Sequence, residues 1–281
     1  MRINTNVSAL NTQRQLGQTN TRVANSMARL SSGFRINKAA DDAAGLSIAN
    51  VLKRDIRSME AASRNITEAT SMVQIAEGAA SSIMDILVRM KELATQAASA
   101  NATTQGDTLQ NEFSDLREEL DRIVASTNYQ GTSLIDGGFT GTFQVGAGGE
   151  NDRITLTLGD SLAADTLGLD TAAPTQEALE DLDISDLEGA QAAMASLDTA
   201  VGQVNTALGT LGAYQNRLDY AQRNLGTAIQ NYSASESAIR DVDMAKEMTE
   251  LSKQQILQQA GTAMLAQANR ASQGVLQLLQ G

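Results

Sequence analysis

Two rows of apolar side chains, each spaced by sevens, run through the first half of this chain. Met59, Ile66, Val73, Ala80, Leu87 and Ala94 form one; Ala62, Ala69, Ala76, Ile83, Met90 and Ala97 form the other, offset by three. Paired rows at this spacing are the a/d seam of a helix that packs along its whole length. At a rise of about 1.5 Å per residue, the seam runs for roughly 58 Å. A second seam answers it. Leu197, Val204, Leu211, Leu218, Leu225, Tyr232 and Ile239 repeat by sevens, with Ala200, Ala207, Tyr214, Ala221 and Ala228 beside the first five. Large residues next to an alanine-rich row on both segments predict two long antiparallel helices that approach closely. Leu109, Phe113, Leu116, Leu120 and Ile123, spaced 4, 3, 4, 3, add a shorter amphipathic helix.

The two ends follow a different pattern. Val23, Met27, Leu30 and Phe34 form a stripe near the N-terminus, preceded by Ile3, Val7 and Leu10. At the other end Leu257, Ala260, Met264, Ala268, Ala271, Val275 and Leu278 are spaced 3, 4, 4, 3, 4, 3. The remaining faces carry amides and hydroxyls instead of charges, as in "QQILQQAGTAMLAQANR". A solvated helix normally keeps charges outside, so this face is expected to become buried against copies of the same chain. Serine, threonine, asparagine and Gly17 weaken intrinsic helicity there, and the free ends are expected to order on packing.

"LSSGFRINKAADDAAGL" reads as a joint between an end helix and a seam helix. Gly33 can take the left-handed conformation that closes a helix, and Asn37 or the pair Asp41 and Asp42 can cap the next one. A matching break falls near Arg240–Asp243, where the second seam ends. Between the seams the chain turns glycine-rich. Thr142–Val145 and Ile154–Leu158 alternate as hairpin strands, and Ser161–Ser185, with the only proline at 174, reads as linker.

The pattern therefore predicts a mainly α protein, a long antiparallel coiled-coil bundle with a small central β-hairpin region and terminal helices forming a separate assembly layer. Its segments are 1–44, an end helix and joint that pairs with 240–281; 45–130 and 187–239, the two halves of the coiled coil; 131–186, the hairpins and linker; and 240–281, the other end helix.

Composition narrows the chemistry. The chain has no cysteine, histidine or tryptophan, which removes disulfides, the usual zinc sites and nucleophile systems built on histidine. No glycine leads into Gly-Lys-Ser/Thr, so no phosphate cradle is expected. The reading is of a non-enzyme without cofactor. A net charge of −12 argues against nucleic acid as a partner. Charge is unevenly spread: every charged side chain before Asp41 is basic, and after Lys253 the only one is Arg270. The basic arm carries no aromatic before Phe34, which speaks against membrane insertion. "MRINTNVSALNTQRQL" lacks the apolar core of a signal peptide, so a cytoplasmic location, or export by a route that reads no such signal, is expected.

At four blocks the sequence closely resembles bacterial flagellin: "MRINTNVSALN", "RLSSGFRINKAADDAAGLSIA", "KELATQAASA" with "NYQGTSLIDG", and "SKQQILQQAGTAMLAQANRASQGVLQLL". The resemblance covers about 1–135 and 187–281. It implies a short flagellin with a reduced central variable region, secreted to the cell exterior and self-assembled into a helical filament, with the paired termini inside. Val23, Met27, Leu30, Phe34, Leu257, Ala260, Met264, Ala268, Val275 and Leu278 would then serve subunit assembly, and Gly33, Asn37, Asp41 and Asp42 the joint. The implied partners are copies of the chain, the flagellar export apparatus and export chaperone, and the hook-associated junction and cap proteins. The family is also read by an innate immune Toll-like receptor. "VRMKELATQ" is similar to the segment read: Arg89 and Leu93 match, and Glu112 falls at the matching place on the next helix. Val88 and "SASESAIRD" depart from the pattern, and Arg89 and Glu112 read equally as solvated charges or subunit contacts. Two alternatives stand beside the filament subunit, a hook–filament junction protein and a secreted monomeric ligand or adhesin.

Overall fold

A computed structural model describes residues 6–99, 106–157, 161–168, 178–179 and 182–280, with side chains described as far as Arg270. Five long helices carry the fold: α1 (Val7–Ser32), α2 (Ala43–Ala97), α3 (Gly106–Ser126), α4 (Leu187–Arg240) and α5 (Met244–Gln280). Two antiparallel strand pairs lie between α3 and α4: β1 (Asn128–Tyr129) with β2 (Thr132–Ser133), and β3 (Thr140–Gln144) with β4 (Arg153–Thr157). The chain divides into two compact units. One joins Met1–Ile56 to Gln230–Gly281, and the other is Arg57–Ile229.

The core of the continuous unit follows the heptad rows. Met59, Ile66, Val73, Ala80, Leu87 and Ala94 are buried, as are Ala62, Ala69, Ala76, Ile83 and Met90. Facing them, α4 buries Leu197, Val204, Leu211, Leu218 and Leu225. Polar contacts at the seam margin fix its direction: Gln222 Nε2 donates to Ser63 Oγ at 2.9 Å, Gln215 donates to Glu77, and Lys91 pairs with Asp198. As the numbers rise on α2 they fall on α4, so the helices are antiparallel.

The second row of α4 departs from expectation. Ala200 is buried, but Ala207, Tyr214, Ala221 and Ala228 are only half-buried, and in the other unit Tyr232 is exposed. The early part of α4 also buries Ala190, Ala193 and Ser196, where loop residues cover it. Gly168, for example, donates its N–H to Gln203 Oε1 at 3.0 Å. Beyond Leu211 one seven-spaced row is buried, as expected of a helix covered from one side.

α3 closes the same core with Leu109, Phe113, Leu120 and Val124. Thr127 then leads into a two-residue hairpin, in which Asn128 pairs with Ser133 and Tyr129 with Thr132. Gln130 and Gly131 have φ of 52° and 82°, the doubly positive geometry whose twist matches paired strands. β3 and β4 pair in register from Thr140↔Thr157 to Gln144↔Arg153.

The segment read as linker, Ser161–Ser185, is not one where it is described. Leu162, Ala164, Leu167, Leu179, Leu182 and Ile184 are all buried. Side chains of α3 hold its backbone: Asp121 Oδ1 accepts the N–H of Ala164 at 2.9 Å, and Gln110 Oε1 accepts that of Ile184 at 2.8 Å. Polar backbone is satisfied from neighbouring helices, which lets irregular chain lie against a core. Pro174 lies outside the described residues.

Candidate functional site

The unit made from the two chain ends is an antiparallel pair, α1 against α5. Asn6 opens α1: its Oδ1 accepts the N–H of Ala9 at 3.1 Å, and its Nδ2 donates to the carbonyl of Ala268 at 2.8 Å. Further along, Gln258 Nε2 donates to Asn20 Oδ1 at 3.0 Å, and Arg29 lies 4.0 Å from Glu247. A Cβ added to Gly261 would come within 3.3 Å of Leu16 Cδ1. The glycine lets the helices close here.

The buried side chains of this pair are mostly not the apolar stripes. α1 buries Thr19 and Ser26, and α5 buries Leu251 and Gln254. Thr19 Oγ1 donates back to Gln15 O at 3.0 Å, and Gln254 Nε2 donates to Glu250 Oε1 at 2.6 Å. Val23, Leu30 and Phe34 are half-buried, whereas Met27, Leu257, Ala260 and Met264 are exposed and Ala268 is half-buried. Val7, Leu10, Met244, Met248 and Ile256 are exposed as well. Of the amide face expected to meet other copies, Gln254 is buried and Gln258 half-buried within the same chain, whereas Gln255, Gln259, Gln267 and Asn269 are exposed. Small hydroxyls and a glycine allow close packing, and much of the apolar surface points away. Ile3 and the side chains of Ala271, Val275 and Leu278 lie outside the described residues.

At the joint, Gly33 sits at φ 76° and ψ 0°, and its N–H donates to Arg29 O at 2.8 Å. Asn37 does not cap the next helix; its Nδ2 donates to Ala28 O at 3.1 Å and Ser32 Oγ at 2.8 Å, closing the end of α1. Asp42 is the cap of α2, accepting the Gly45 N–H at 2.9 Å. Asp41 Oδ2 accepts the N–H groups of Lys38 at 2.9 Å and Asn37 at 3.1 Å. Those two bonds hold its carboxyl below the usual carboxylate range, so it stays charged throughout neutral pH.

Sequence reasoning found both breaks and missed that they bind each other. Phe34 and Asp241 form an antiparallel bridge: Arg35 N–H donates to Arg240 O at 2.6 Å, and Val242 N–H donates to Gly33 O at 3.0 Å. The Arg240 guanidinium lies 4.1 Å from the centroid of the Phe34 ring, and Arg35 Nη2 donates to Ile239 O at 2.6 Å. Each break thus supplies the backbone partner of the other.

In the continuous unit, Arg89 reaches across from α2 to α3. Its Nη2 and Nε donate to Glu112 Oε1 at 2.7 and 3.0 Å, and Nη1 donates to Glu92 Oε2 at 3.0 Å. Leu93 is 1% exposed and belongs to the core beneath that pair. Its side chain offers no surface for an outside protein to touch, so of the three matched residues only Arg89 and Glu112 present polar groups at the surface.

Comparison with known proteins matches both ends of the chain. Residues 3–140 match the family described as the bacterial flagellin N-terminal helical region, and residues 194–279 the bacterial flagellin C-terminal helical region. A flagellin of Bacillus subtilis (strain 168) is 41% identical over 306 aligned positions, covering 100% of each chain. A flagellar filament 33 kDa core protein of Treponema phagedenis is 41% identical over 290, again covering 100% of each. Among solved structures, a Vibrio parahaemolyticus chain described as flagellar hook-associated aligns with a TM-score of 0.60 at 15% identity, covering 72% of this chain and 100% of that one. At that identity the likeness is one of fold.

Proposed function

This chain belongs to the bacterial flagellin family and is a structural subunit of the helical flagellar filament used for swimming; from that premise we propose that α1 and α5 are its assembly elements. The supporting observation is the apolar surface that the pair leaves uncovered. Within one chain the buried residues of the pair are Thr19, Ser26, Leu251 and Gln254, with Gly261 close to Leu16, while Met27, Leu257 and Met264 stand exposed. Exposed apolar surface of this kind marks an interaction site, and in a polymer of identical subunits its occupant is a second copy. Residues 1–44 and 240–281 act as the assembly layer, 45–130 and 187–239 as the coiled coil, and 131–186 as the reduced central region. The role is structural and uses no cofactor. Purified protein, seeded with filament fragments, is expected to grow long uniform tubes with no other protein present, seen by electron microscopy. A junction protein or a monomeric ligand would give none.

Secretion to the cell exterior, passage through the export apparatus with an export chaperone, and contact with hook-associated junction and cap proteins follow from the same assignment as proposals. The Toll-like receptor is a further proposed partner, through Arg89 and Glu112. The guanidinium and its carboxylate form a solvent-facing pair, which contributes little to stability and is free to be read from outside. Arg89→Ala is expected to lower receptor activation by soluble monomer about tenfold, the equivalent of ~1.4 kcal/mol of binding. A dose–response comparison in receptor-bearing cells checks this, and silence from the unaltered monomer would remove the receptor from the partners.

A further inference from the structure

Among the described residues the sulfur of this chain is sorted by unit. The sequence has ten methionines and no cysteine, histidine or tryptophan, so the thioether is its main target for a mild two-electron oxidant. In the continuous unit Met59, Met72 and Met90 are buried at 5%, 7% and 0% exposure, and Met84 and Met194 are half-buried. The terminal unit is the reverse: Met27, Met244, Met248 and Met264 are 53%, 49%, 51% and 62% exposed. Met244 and Met248 share a face at i,i+4. Because Arg29 meets Glu247, Met27 lies at nearly the same level of the antiparallel pair. Met264 follows Leu257 by seven residues on the exposed stripe.

We propose that these four thioethers are an oxidation site that governs assembly: converted to sulfoxides in the free subunit, they block its addition to the polymer, and once in the polymer they are shielded. The inference rests on the assignment of α1 and α5 as assembly elements. In the reaction, a sulfur lone pair attacks one oxygen of hydrogen peroxide. An S–O bond forms, the O–O bond breaks, and the departing hydroxide takes the proton of the sulfur-bound hydroxyl, leaving the sulfoxide and water. The sulfur loses two electrons and the peroxide gains them, so no further reactant is needed. A flexible apolar side chain becomes a polar one with a strong acceptor oxygen. Burying that oxygen without a donor is unfavourable, and every added subunit would repeat the cost at the same four places. The buried methionines react slowly, so the coiled-coil unit keeps its fold while the assembly unit loses its function.

The test treats purified full-length monomer with hydrogen peroxide, maps sulfoxides by peptide mass spectrometry and measures seeded elongation. Oxidation at 27, 244, 248 and 264 is expected before any at 59, 72 or 90, with at least a tenfold rise in critical concentration and an unmoved melting transition of the coiled-coil unit. Reduction by the two methionine sulfoxide reductases together should restore elongation, and filaments given the same dose should show the four protected at least fivefold. In the variant Met27→Leu, Met244→Leu, Met248→Leu, Met264→Leu, whatever its own critical concentration, peroxide should leave that value unmoved. Should that variant not elongate, the reductase experiment decides. Normal elongation by a subunit carrying the four sulfoxides, a loss that reduction does not reverse, or equal oxidation of monomer and filament would overturn the proposal. Failure of untreated monomer to elongate would instead overturn the assignment of the assembly elements.

Discussion

A chain cut to Arg57–Ile229 is expected to fold, to melt cooperatively as a helical monomer, and to form no filament at any concentration at which the full chain does. Its packing rows, Met59 to Ala94 on α2 and Leu197 to Leu225 on α4, lie wholly inside the cut, as do Phe113 and Leu120 of α3. Helices of this length owe most of their stability to the partner they pack on, and here the partners are kept. What is lost is α1 and α5, with their exposed Leu257 and Met264, together with residues 43–56 of α2 and 230–240 of α4. Circular dichroism on heating reads the fold, and electron microscopy after seeding reads the assembly. An unfolded fragment would show that the seams need the terminal unit; a polymerising one would place assembly elsewhere.

The second large effect is expected at Gly33. Valine there must hold φ near 76°, a region that costs a side-chain-bearing residue about 1–2 kcal/mol and a β-branched one more. The same backbone supplies the carbonyl that accepts Val242 N–H, so relaxing the strain breaks the bridge to the other chain end. Gly33→Val should therefore speed amide exchange throughout α1 and α5, leave protection in α2 and α3 beyond Arg57 unchanged, and shorten or abolish filaments. Gly33→Asn, which tolerates the left-handed region, should keep most of the function. Equal filament length and exchange in the valine variant would mean the joint needs no such geometry.

Much of this architecture was legible because a heptad row reports on burial directly: Ile66, Val73 and Leu87 could lie nowhere but in a seam. The terminal helices were legible in position, and less so in orientation. Spacing tells which face of α5 is apolar, but not whether that face is covered by its own chain or left for another: Leu251 is covered and Leu257 is not. At the joint, an asparagine between two helices can close the first or open the second; only the position of Ala28 O decided for Asn37. Ser161–Ser185 was missed for a different reason. Its buried leucines have no period, and the groups that hold its backbone, Gln110 and Asp121, come from a helix more than forty residues earlier. The Phe34–Asp241 bridge leaves no sequence signal at all, since backbone donates and backbone accepts.

That bridge, and the pair of helices it ties, also sets a timetable. Asn20 and its partner Gln258 are 238 residues apart. Loop closure over such a span adds little at equilibrium, about 0.6 kcal/mol for each doubling of length. Synthesis at ~5–20 residues per second is another matter, for it leaves α1 waiting on the order of ten seconds or more for α5 to exist. The Arg57–Ile229 unit is contiguous and can finish folding during that interval, with a newborn N-terminal segment still unmated behind it. The surface proposed to join one subunit to the next is thus the last part of the molecule to be completed.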